Sequence, residues 1–365
     1  MESDLLYKIG LTLIDHVGHI TSKTLISYCG SAEAVFKESK QRLLKIPDIG
    51  EITAEAIVRQ EILHFAEKEI KFIEQNQVTP LFYLDKNYPL RLKQCPDCPV
   101  MLYYKGSADL DAARIVAIVG TRNATPYGKK MSHDIIEGLK DSGVLIISGL
   151  AYGIDAESHK SALKFGLPTV GVIGHGLDTM YPAEHNNLAK KMLENGGLAS
   201  DFLSNTKLSP ENFPKRNRII AGLSDAIIVV ESKAKGGAII TADIAFSYSR
   251  DVFAVPGRSE DAYSQGCNLL IRQNKASLIQ SADDMLNSLG WKDTKKKPKK
   301  QTYLFPELNP QEEIIVKVLQ SKNTPVHIDD IALMANLSPG NLSTHLLTLE
   351  FAGVLKSLPG KMYSL

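Results

Sequence analysis

Residues 114–290 repeat one pattern, a short apolar run that ends in a glycine turn and leads into a helix. The clearest unit is Ile115–Gly128, IVAIVGTRNATPYG, in which five apolar residues end at Gly120. Runs of this length followed by helical periodicity are typical of buried parallel strands that lead into helices. Further strands are expected at Val144–Ser148, Thr169–Ile173, Ala226–Glu231, Val252–Val255 and Ser277–Ile279. The repetition predicts an α/β fold, a Rossmann-like, mostly parallel sheet covered by helices on both faces.

The turn after Ile115–Val119 predicts an anion site. The glycine turns of such a fold gather at one edge of the sheet, where ligands bind. Backbone N–H groups at a strand-to-helix turn favour a phosphate, and here Gly120 and Thr121 are followed by the cation Arg122. The G-x-G-x-x-G pattern of dinucleotide-binding turns is missing at Gly120, so the turn indicates phosphate without indicating a cofactor.

The overall composition restricts the class of protein. A length of 365 residues suits a large core with small satellites. Because the formal net charge is only +1, nucleic-acid binding must come from local clusters. Four cysteines do not make a disulfide scaffold, the N-terminus does not resemble a signal peptide, and no apolar run approaches membrane-spanning length. We expect a soluble, cytoplasmic protein that does not contact the membrane.

Residues 1–75 are predicted to form a helical helix-hairpin-helix or SAM-like domain. Two similar segments, Ile14–Gly18 and Ile46–Gly50, each precede a helix. The helix-hairpin-helix motif binds nucleic-acid phosphate through backbone N–H groups at a helix start. Asp48 lies in the second hairpin and would repel phosphate, so a packing or interaction role is favoured over DNA binding.

Residues 76–113 are predicted to be a connector with short strands at Leu81–Leu84 and Met101–Tyr104. It contains Cys95 and Cys98 in a C-x-x-C pair. A redox pair should lie at a helix N-terminus and a structural zinc needs four ligands, and the sequence supplies neither. The favoured interpretation is that the two cysteines lie in a proline-bounded turn and bind no metal.

The C-terminal part is predicted to be a basic linker, residues 291–306, followed by a winged-helix-like domain, residues 307–365. Three helical segments precede a hairpin that begins near Val354. In a DNA reader the third helix carries side chains for bases and phosphates, but here Asn341–Gly353 contains no Lys or Arg. A protein-contact role is therefore favoured over reading of a DNA groove.

The densest cationic cluster follows Phe213 and consists of Lys215, Arg216, Asn217 and Arg218. Such clusters are usually solvated, but cations bind phosphates and an aromatic face stacks on a base of any identity. This cluster lies inside the Rossmann-like region between two predicted strands, and that position could direct it towards the edge that carries the glycine turns.

Two features suggest an enzyme. Asp155 and His159 are four residues apart and share a helix face, but no third ligand or nucleophile is evident, so a structural role at a helix N-terminus is favoured. Gly236–Thr241 is similar to the phosphate turn of nucleotide-cleaving, lysine-decarboxylase-like enzymes. It lacks the third glycine of that turn and the glutamate that would do the chemistry.

Taken together, the motifs resemble those of the DNA-processing protein A family, also called DprA or Smf. The resemblance implies a core that binds single-stranded DNA, forms a homodimer and helps to load the RecA recombinase in transformation and recombination. The matching segments are Val116–Arg122, Ser148–Asp155 with His159, Thr169–Asp178 with Tyr181 and Pro182, Asn212–Gly222, Gly237–Ala242 and Ala254–Gly257.

The resemblance also assigns site residues. Phe213 is added as a stacking candidate from its position. Thr121 stands where the family commonly has serine, as do Gly236 and Ala238, and this weakens any phosphate contact near Thr241. The expected DNA-binding residues are Gly120, Thr121, Arg122, Gly149, Phe213, Lys215, Arg216, Asn217, Arg218, Gly237 and Thr241.

The sequence thus predicts a non-enzymatic mediator that binds single-stranded DNA without a cofactor or metal. The alternative from another class is a nucleotide-binding or nucleotide-cleaving enzyme or sensor that uses the same pocket. A third hypothesis is a scaffold that contacts proteins through its end modules.

Overall fold

A computed structural model describes residues 2–292, 308–322 and 324–365, with side chains from Asp4 onward. The predicted basic linker, residues 291–306, lies outside this range except for its first two residues. The domain boundaries drawn from the sequence remain predictions.

The centre of the molecule is a nine-stranded sheet with the spatial order β1-β2-β6-β5-β4-β3-β7-β8-β9. Its strands are β1 Thr79–Phe82, β2 Met101–Gly106, β3 Arg114–Val119, β4 Val144–Ser148, β5 Thr169–Val172, β6 Gly196–Ser200, β7 Ala226–Val229, β8 Asp251–Ala254 and β9 Ser277–Leu278. Neighbours from β6 to β9 in this order are parallel, and β1 and β2 extend the sheet in antiparallel fashion. The predicted mostly parallel α/β fold is confirmed.

Helices cover both faces of this sheet because successive strand residues point to opposite sides. Ile115 and Ala117 of β3 pack in the apolar core on one face of the sheet, whereas Val116 and Ile118 pack in a second apolar core on the other face. The helices after the N-terminal module are α7 Leu90–Lys93, α8 Pro126–Gly138, α9 Ile154–Lys164, α10 Asn186–Met192, α11 Asn212–Leu223, α12 Gly237–Ser247, α13 Gln265–Arg272 and α14 Ala282–Ser288.

Strand β6 is an addition to the predicted strands. Its sequence, GGLAS, contains no β-branched residue and therefore gives no strand signal. The glycines are required by packing, since a Cβ on Gly197 would lie 2.5 Å from the ring of Tyr104. The Tyr104 hydroxyl donates a hydrogen bond of 3.0 Å to the Gly196 carbonyl. The strand therefore forms through its neighbours and not through its own propensity.

The N-terminal residues form six helices that pack against β1 and β2. They are α1 Glu2–Leu13, α2 His19–Cys29, α3 Ala32–Lys37, α4 Lys40–Leu43, α5 Glu51–Arg59 and α6 Leu63–Gln75. Their apolar core includes Phe82 and Met101 of the sheet. The ring of His19, at the start of α2, accepts a hydrogen bond from the Val100 N–H and lies 3.6 Å from the Asp201 carboxylate. The first hairpin therefore packs on the core, in line with the favoured packing role.

The C-terminal residues form a winged helix, which confirms that part of the prediction. Its helices are α15 Pro310–Lys322, α16 Ile328–Ala335 and α17 Pro339–Phe351, and its three-stranded antiparallel sheet consists of β10 Val326–His327, β11 Lys356–Leu358 and β12 Met362–Ser364. The outer face of α17 exposes Leu347 and Phe351. None of the described helices is long and apolar enough to cross a membrane.

Candidate nucleic-acid interface

An open cavity of about 420 Å³ lies at the carboxyl ends of β3 and β7. The chain order of the sheet reverses at β3, with β4, β5 and β6 on one side and β7, β8 and β9 on the other. Parallel α/β sheets bind ligands in the crevice at such a reversal. The loop after β3, the loop after β7 and helix α11 form the walls of this cavity.

The loop after β3 supplies a cation to the cavity and uses two of its backbone N–H groups within the fold. The N–H of Thr121 donates to the Glu231 carbonyl at 2.8 Å, and the N–H of Asn123 donates to the Thr121 hydroxyl at 3.2 Å. These two donors are therefore engaged within the fold, and the phosphate site expected at this turn remains a prediction. The side chain of Arg122 is exposed and lines the cavity, so it is the cation of this wall.

The start of α8 is occupied by a carboxylate of the protein itself. Glu231 is buried, and its side chain accepts hydrogen bonds from the Thr125 N–H at 3.0 Å and from the Thr125 hydroxyl at 2.5 Å. This is the place where a Rossmann-like fold holds the pyrophosphate of a dinucleotide. The missing G-x-G-x-x-G pattern thus has a structural counterpart, because Glu231 fills the position that a cofactor phosphate would need.

The start of α12 offers a positive helix end to the cavity. Gly236 is the N-cap residue, no side chain caps the helix, and Gly237 and Thr241 line the cavity beside it. Lys233 and Lys235 precede the helix and also line the cavity. The partial positive charge of a helix N-terminus and two nearby ammonium groups together favour a bound anion.

Helix α11 contributes Phe213, Arg216 and Asn217 to the cavity. Arg216 is only 5% exposed, and its guanidinium donates to the Val172 carbonyl and, at 3.3 Å, to the Asn217 side chain. Burial lowers the pKa of Arg216 to about 10, so the group remains charged at neutral pH. Burial raises the pKa of Asp155, and the charge of Arg216 opposes that shift. Asp155 and the charged Arg216 thus lie as buried neighbours beside Gly149 in the wall of the cavity.

The structure brings together most of the residues predicted from the sequence. Gly149 is buried beside the cavity, where a Cβ would lie 2.7 Å from the Arg216 guanidinium. Lys215 is exposed on α11 outside the cavity lining, and Arg218 forms an ion pair with Asp201. The predicted residues that line the cavity are Gly120, Thr121, Arg122, Phe213, Arg216, Asn217, Gly237 and Thr241.

The further lining residues that were not predicted as site residues include two cations and two other polar side chains, Lys233, Lys235, Asn123 and Tyr263. The Lys233 ammonium lies 5.3 Å from the centre of the Tyr263 ring, and the Asn123 amide donates to the Tyr263 hydroxyl at 3.4 Å. The two lysines stand directly before the Gly-Gly pair that opens α12, which is a usable sequence signal. Tyr263 follows β8 in an irregular segment and reaches the cavity only through the tertiary fold.

The arrangement of His159 supports the structural interpretation of Asp155 and His159. The His159 ring is fully buried, with Nε2 donating to the Gly149 carbonyl at 2.6 Å and Nδ1 bonded to the Thr169 hydroxyl at 2.7 Å. Burial lowers the pKa of His159 to about 4. Both ring nitrogens are engaged, so His159 holds the turn after β4 in place and has no free nitrogen for acid–base chemistry.

The buried His159 predicts a pH-dependent loss of stability. Because its pKa is lowered from 6.5 to about 4, the unfolded chain takes up the proton first as the pH falls. The stability that the neutral His159 ring contributes is fully present above pH 6.5 and is lost as the pH falls through 4. The free energy of unfolding changes by about 3 kcal/mol over this range. Urea unfolding at pH 7.0, 5.5 and 4.5 measures it. The free energy of unfolding should fall less steeply for His159→Gln, and parallel curves for the two proteins would contradict this assignment.

A Rossmann-like core with a cation-lined cavity at its strand-order reversal, combined with a winged helix, defines a narrow class of α/β proteins. Residues 79–290 match the family model described as DNA recombination-mediator protein A, and residues 299–361 match the DprA winged helix domain. The chain belongs to the DNA recombination-mediator protein A family. The resemblance drawn from the sequence motifs is confirmed.

Relatives of this chain match most of its length. Protein Smf of Synechocystis is 32% identical over 398 aligned residues, which cover 99% of this chain and 98% of the relative. The structure of DNA processing protein A from Streptococcus pneumoniae superposes with a TM-score of 0.67 at 32% identity, covering 77% of this chain and 97% of that one. DNA processing protein A from Helicobacter pylori, described as having a unique single-stranded DNA binding mode, gives a TM-score of 0.53 at 29% identity. The match covers 58% of this chain and 95% of that one.

Proposed function

We propose that this chain binds single-stranded DNA in the cavity between the ends of β3 and β7 and acts as a recombination mediator. One observation carries the proposal: Arg122, Arg216, Lys233 and Lys235 surround one cavity onto which the start of α12 also opens. Cations and helix N-termini bind phosphates without regard to base sequence. The near-neutral net charge of the chain means that this local cluster supplies the attraction.

The aromatic residues of the cavity favour a single strand over a duplex. Phe213 and Tyr263 line the same cavity as the cations. Proteins that bind single strands without sequence preference combine a cationic groove with aromatic rings on which unpaired bases stack. In a duplex the base faces are already stacked on one another, so only the phosphates remain to be bound.

The partner proteins follow from the family relationship. We propose that the chain forms a homodimer through its core and delivers a RecA-type recombinase to the bound strand, as a recombination mediator must. Neither activity requires catalysis, and the engagement of His159 in two hydrogen bonds fits a non-enzymatic protein. The contribution of Lys215 and Arg218 to DNA binding remains a prediction.

A small nucleotide is the second candidate ligand. A volume of about 420 Å³ lies within the roughly 300 to 1,000 Å³ typical of small-molecule sites, so a mononucleotide fits the cavity. Its phosphate would lie at the start of α12. This hypothesis predicts binding of free nucleotides with an affinity comparable to that of an oligonucleotide.

Anisotropy titrations of a labelled oligo-dT at increasing NaCl concentrations test the proposal. The logarithm of the association constant should fall linearly with the logarithm of salt concentration, with a slope of about −2 to −3 for three or four phosphate contacts. A duplex of equal length should bind more weakly, and millimolar nucleoside monophosphates should not displace the oligonucleotide. Displacement by micromolar nucleotide would support a sensor instead, and no binding to oligo-dT would refute the proposal.

A further inference from the structure

A second, smaller recess adjoins the cavity and shares Arg122 and Phe213 with it. Both residues, together with Arg216, line the recess and the cavity alike. The recess is also bordered by two tyrosines, Tyr152 and Tyr181. A strand that leaves the cavity past Arg122 therefore meets these two rings next.

The ring of Phe213 is already partly covered. The Arg122 guanidinium lies over it, 5.4 Å from the ring centre, and the Tyr181 ring centre lies 5.9 Å away. Tyr181 and Tyr152, in contrast, are 46% and 44% exposed. The tyrosines thus present more open ring surface to a base than Phe213 does.

Each tyrosine contacts a buried histidine, Tyr181 through its backbone and Tyr152 through its ring. The N–H of Tyr181 donates to the ring of the buried His175 at 3.3 Å. The hydroxyl of Tyr152 donates to Glu184 at 2.7 Å, and its ring packs at 5.1 Å against the buried His185. The Tyr152 side chain is thus held at both its hydroxyl and its ring, and the Tyr181 ring lies against Phe213. Side chains that are already ordered lose less conformational entropy when a base stacks on them.

We propose that Tyr181, followed by Tyr152, forms a base-stacking platform that continues the DNA site beyond Arg122. Single exposed tyrosines are ordinary on protein surfaces. These two differ because they border one recess that shares a cation and an aromatic ring with the phosphate-binding cavity. The platform accepts any base, since every base has a flat π-face. This inference rests on the proposed binding of single-stranded DNA.

An abasic-site scan combined with tyrosine variants tests the platform. Oligo-dT carrying one abasic position, moved along the strand, identifies the bases that contribute affinity to the wild-type protein. Tyr181→Ala should weaken binding of intact oligo-dT about 5- to 100-fold, whereas Tyr181→Phe should bind within about 2-fold of wild type. At one of the costly abasic positions the penalty seen for wild type should vanish in Tyr181→Ala, whereas the penalties at bases that stack in the cavity should persist. Tyr152→Ala should do the same at a neighbouring position.

The controls separate this platform from the cavity itself. Tyr127→Ala removes a tyrosine that is similarly exposed, at 45%, and lies outside both linings, so binding should be unchanged. If Tyr181→Ala loosens the recess, Tyr181→Leu retains apolar bulk without a flat ring and should show the same loss. Wild-type affinity in Tyr181→Ala, or abasic penalties that persist in it at every position, would overturn the platform. If Arg122→Ala loses binding while Tyr181→Ala does not, the platform is wrong but the proposed binding of single-stranded DNA in the cavity still stands.

Discussion

Replacing Arg122 and Lys233 together by alanine is expected to weaken oligo-dT binding by about 100-fold and to make the salt slope shallower by about 1.4. The two cations belong to different walls of the cavity, one after β3 and one after β7. Each phosphate contact to a single strand contributes about 0.7 to the slope. A hydrogen bond to a charged group is worth about 1.5 to 3 kcal/mol, so losing two at the lower value costs about 3 kcal/mol, which corresponds to roughly 100-fold in affinity. Anisotropy titrations over a salt series measure both quantities.

Two variants serve as controls for this experiment. Lys68→Ala with Lys71→Ala removes the same charge from exposed positions on α6 and should leave affinity and slope unchanged. Lys215→Ala tests the cluster predicted from the sequence, because Lys215 is exposed but lies outside the cavity lining. Lys215→Ala should weaken oligo-dT binding less than alanine substitution of either Arg122 or Lys233 does. An unaltered slope in the Arg122 and Lys233 double variant would show that the cavity does not hold the phosphates.

Most of the core follows from local sequence patterns. Strand β4 and the end of α9 lie where the apolar runs and the helical periodicity predict them. Apolar strand runs and glycine turns are local signals, so they are visible without knowledge of the tertiary contacts. Strand β6 has no such local signal. Its formation depends on pairing with β5 and β2 on either side and on the space that Gly197 leaves for Tyr104.

The candidate site was predictable where it depends on topology alone. Gly120 and Gly237 come together because parallel strands end at the same edge of the sheet. The direction of each cation on α11 was not predictable. Successive helix residues are separated by about 100°, so Arg216 is buried beside the cavity, Lys215 faces solvent and Arg218 reaches Asp201.

The sequence also could not predict which backbone N–H groups are already engaged in hydrogen bonds within the protein. Glu231 lies more than one hundred residues after Thr121 and Thr125, yet its carbonyl and carboxylate accept the hydrogen bonds that a phosphate would otherwise accept. A sequence pattern identifies a turn that can bind an anion, but not whether the protein supplies that anion itself. Of the helix starts of α8 and α12, that of α12 is therefore the one that no side chain in the described part of the chain occupies.

Arg216→Met is expected to destabilise the protein by about 3 to 5 kcal/mol at neutral pH, because it leaves the Asp155 carboxylate buried without an opposing buried charge. Asp155 is only 8% exposed, and the charge of Arg216 is the largest influence that holds its pKa down against burial. Methionine fills a similar volume, so the loss is mainly electrostatic. Chemical denaturation at pH 7.5 and pH 5.0 measures the free energy of unfolding.

The pH dependence of this loss identifies its cause. Without Arg216 the pKa of Asp155 rises further above its unfolded value, so the proton stabilises the folded variant more than the unfolded chain. The stability deficit should therefore be greatest at pH 7.5 and should shrink as the pH falls towards 4. Asp155→Asn, added to Arg216→Met, should restore part of the loss at pH 7.5 because no charge is then buried. An equal deficit at both pH values, or no recovery in the double variant, would show that Arg216 acts through packing and its hydrogen bond to Val172, not through Asp155.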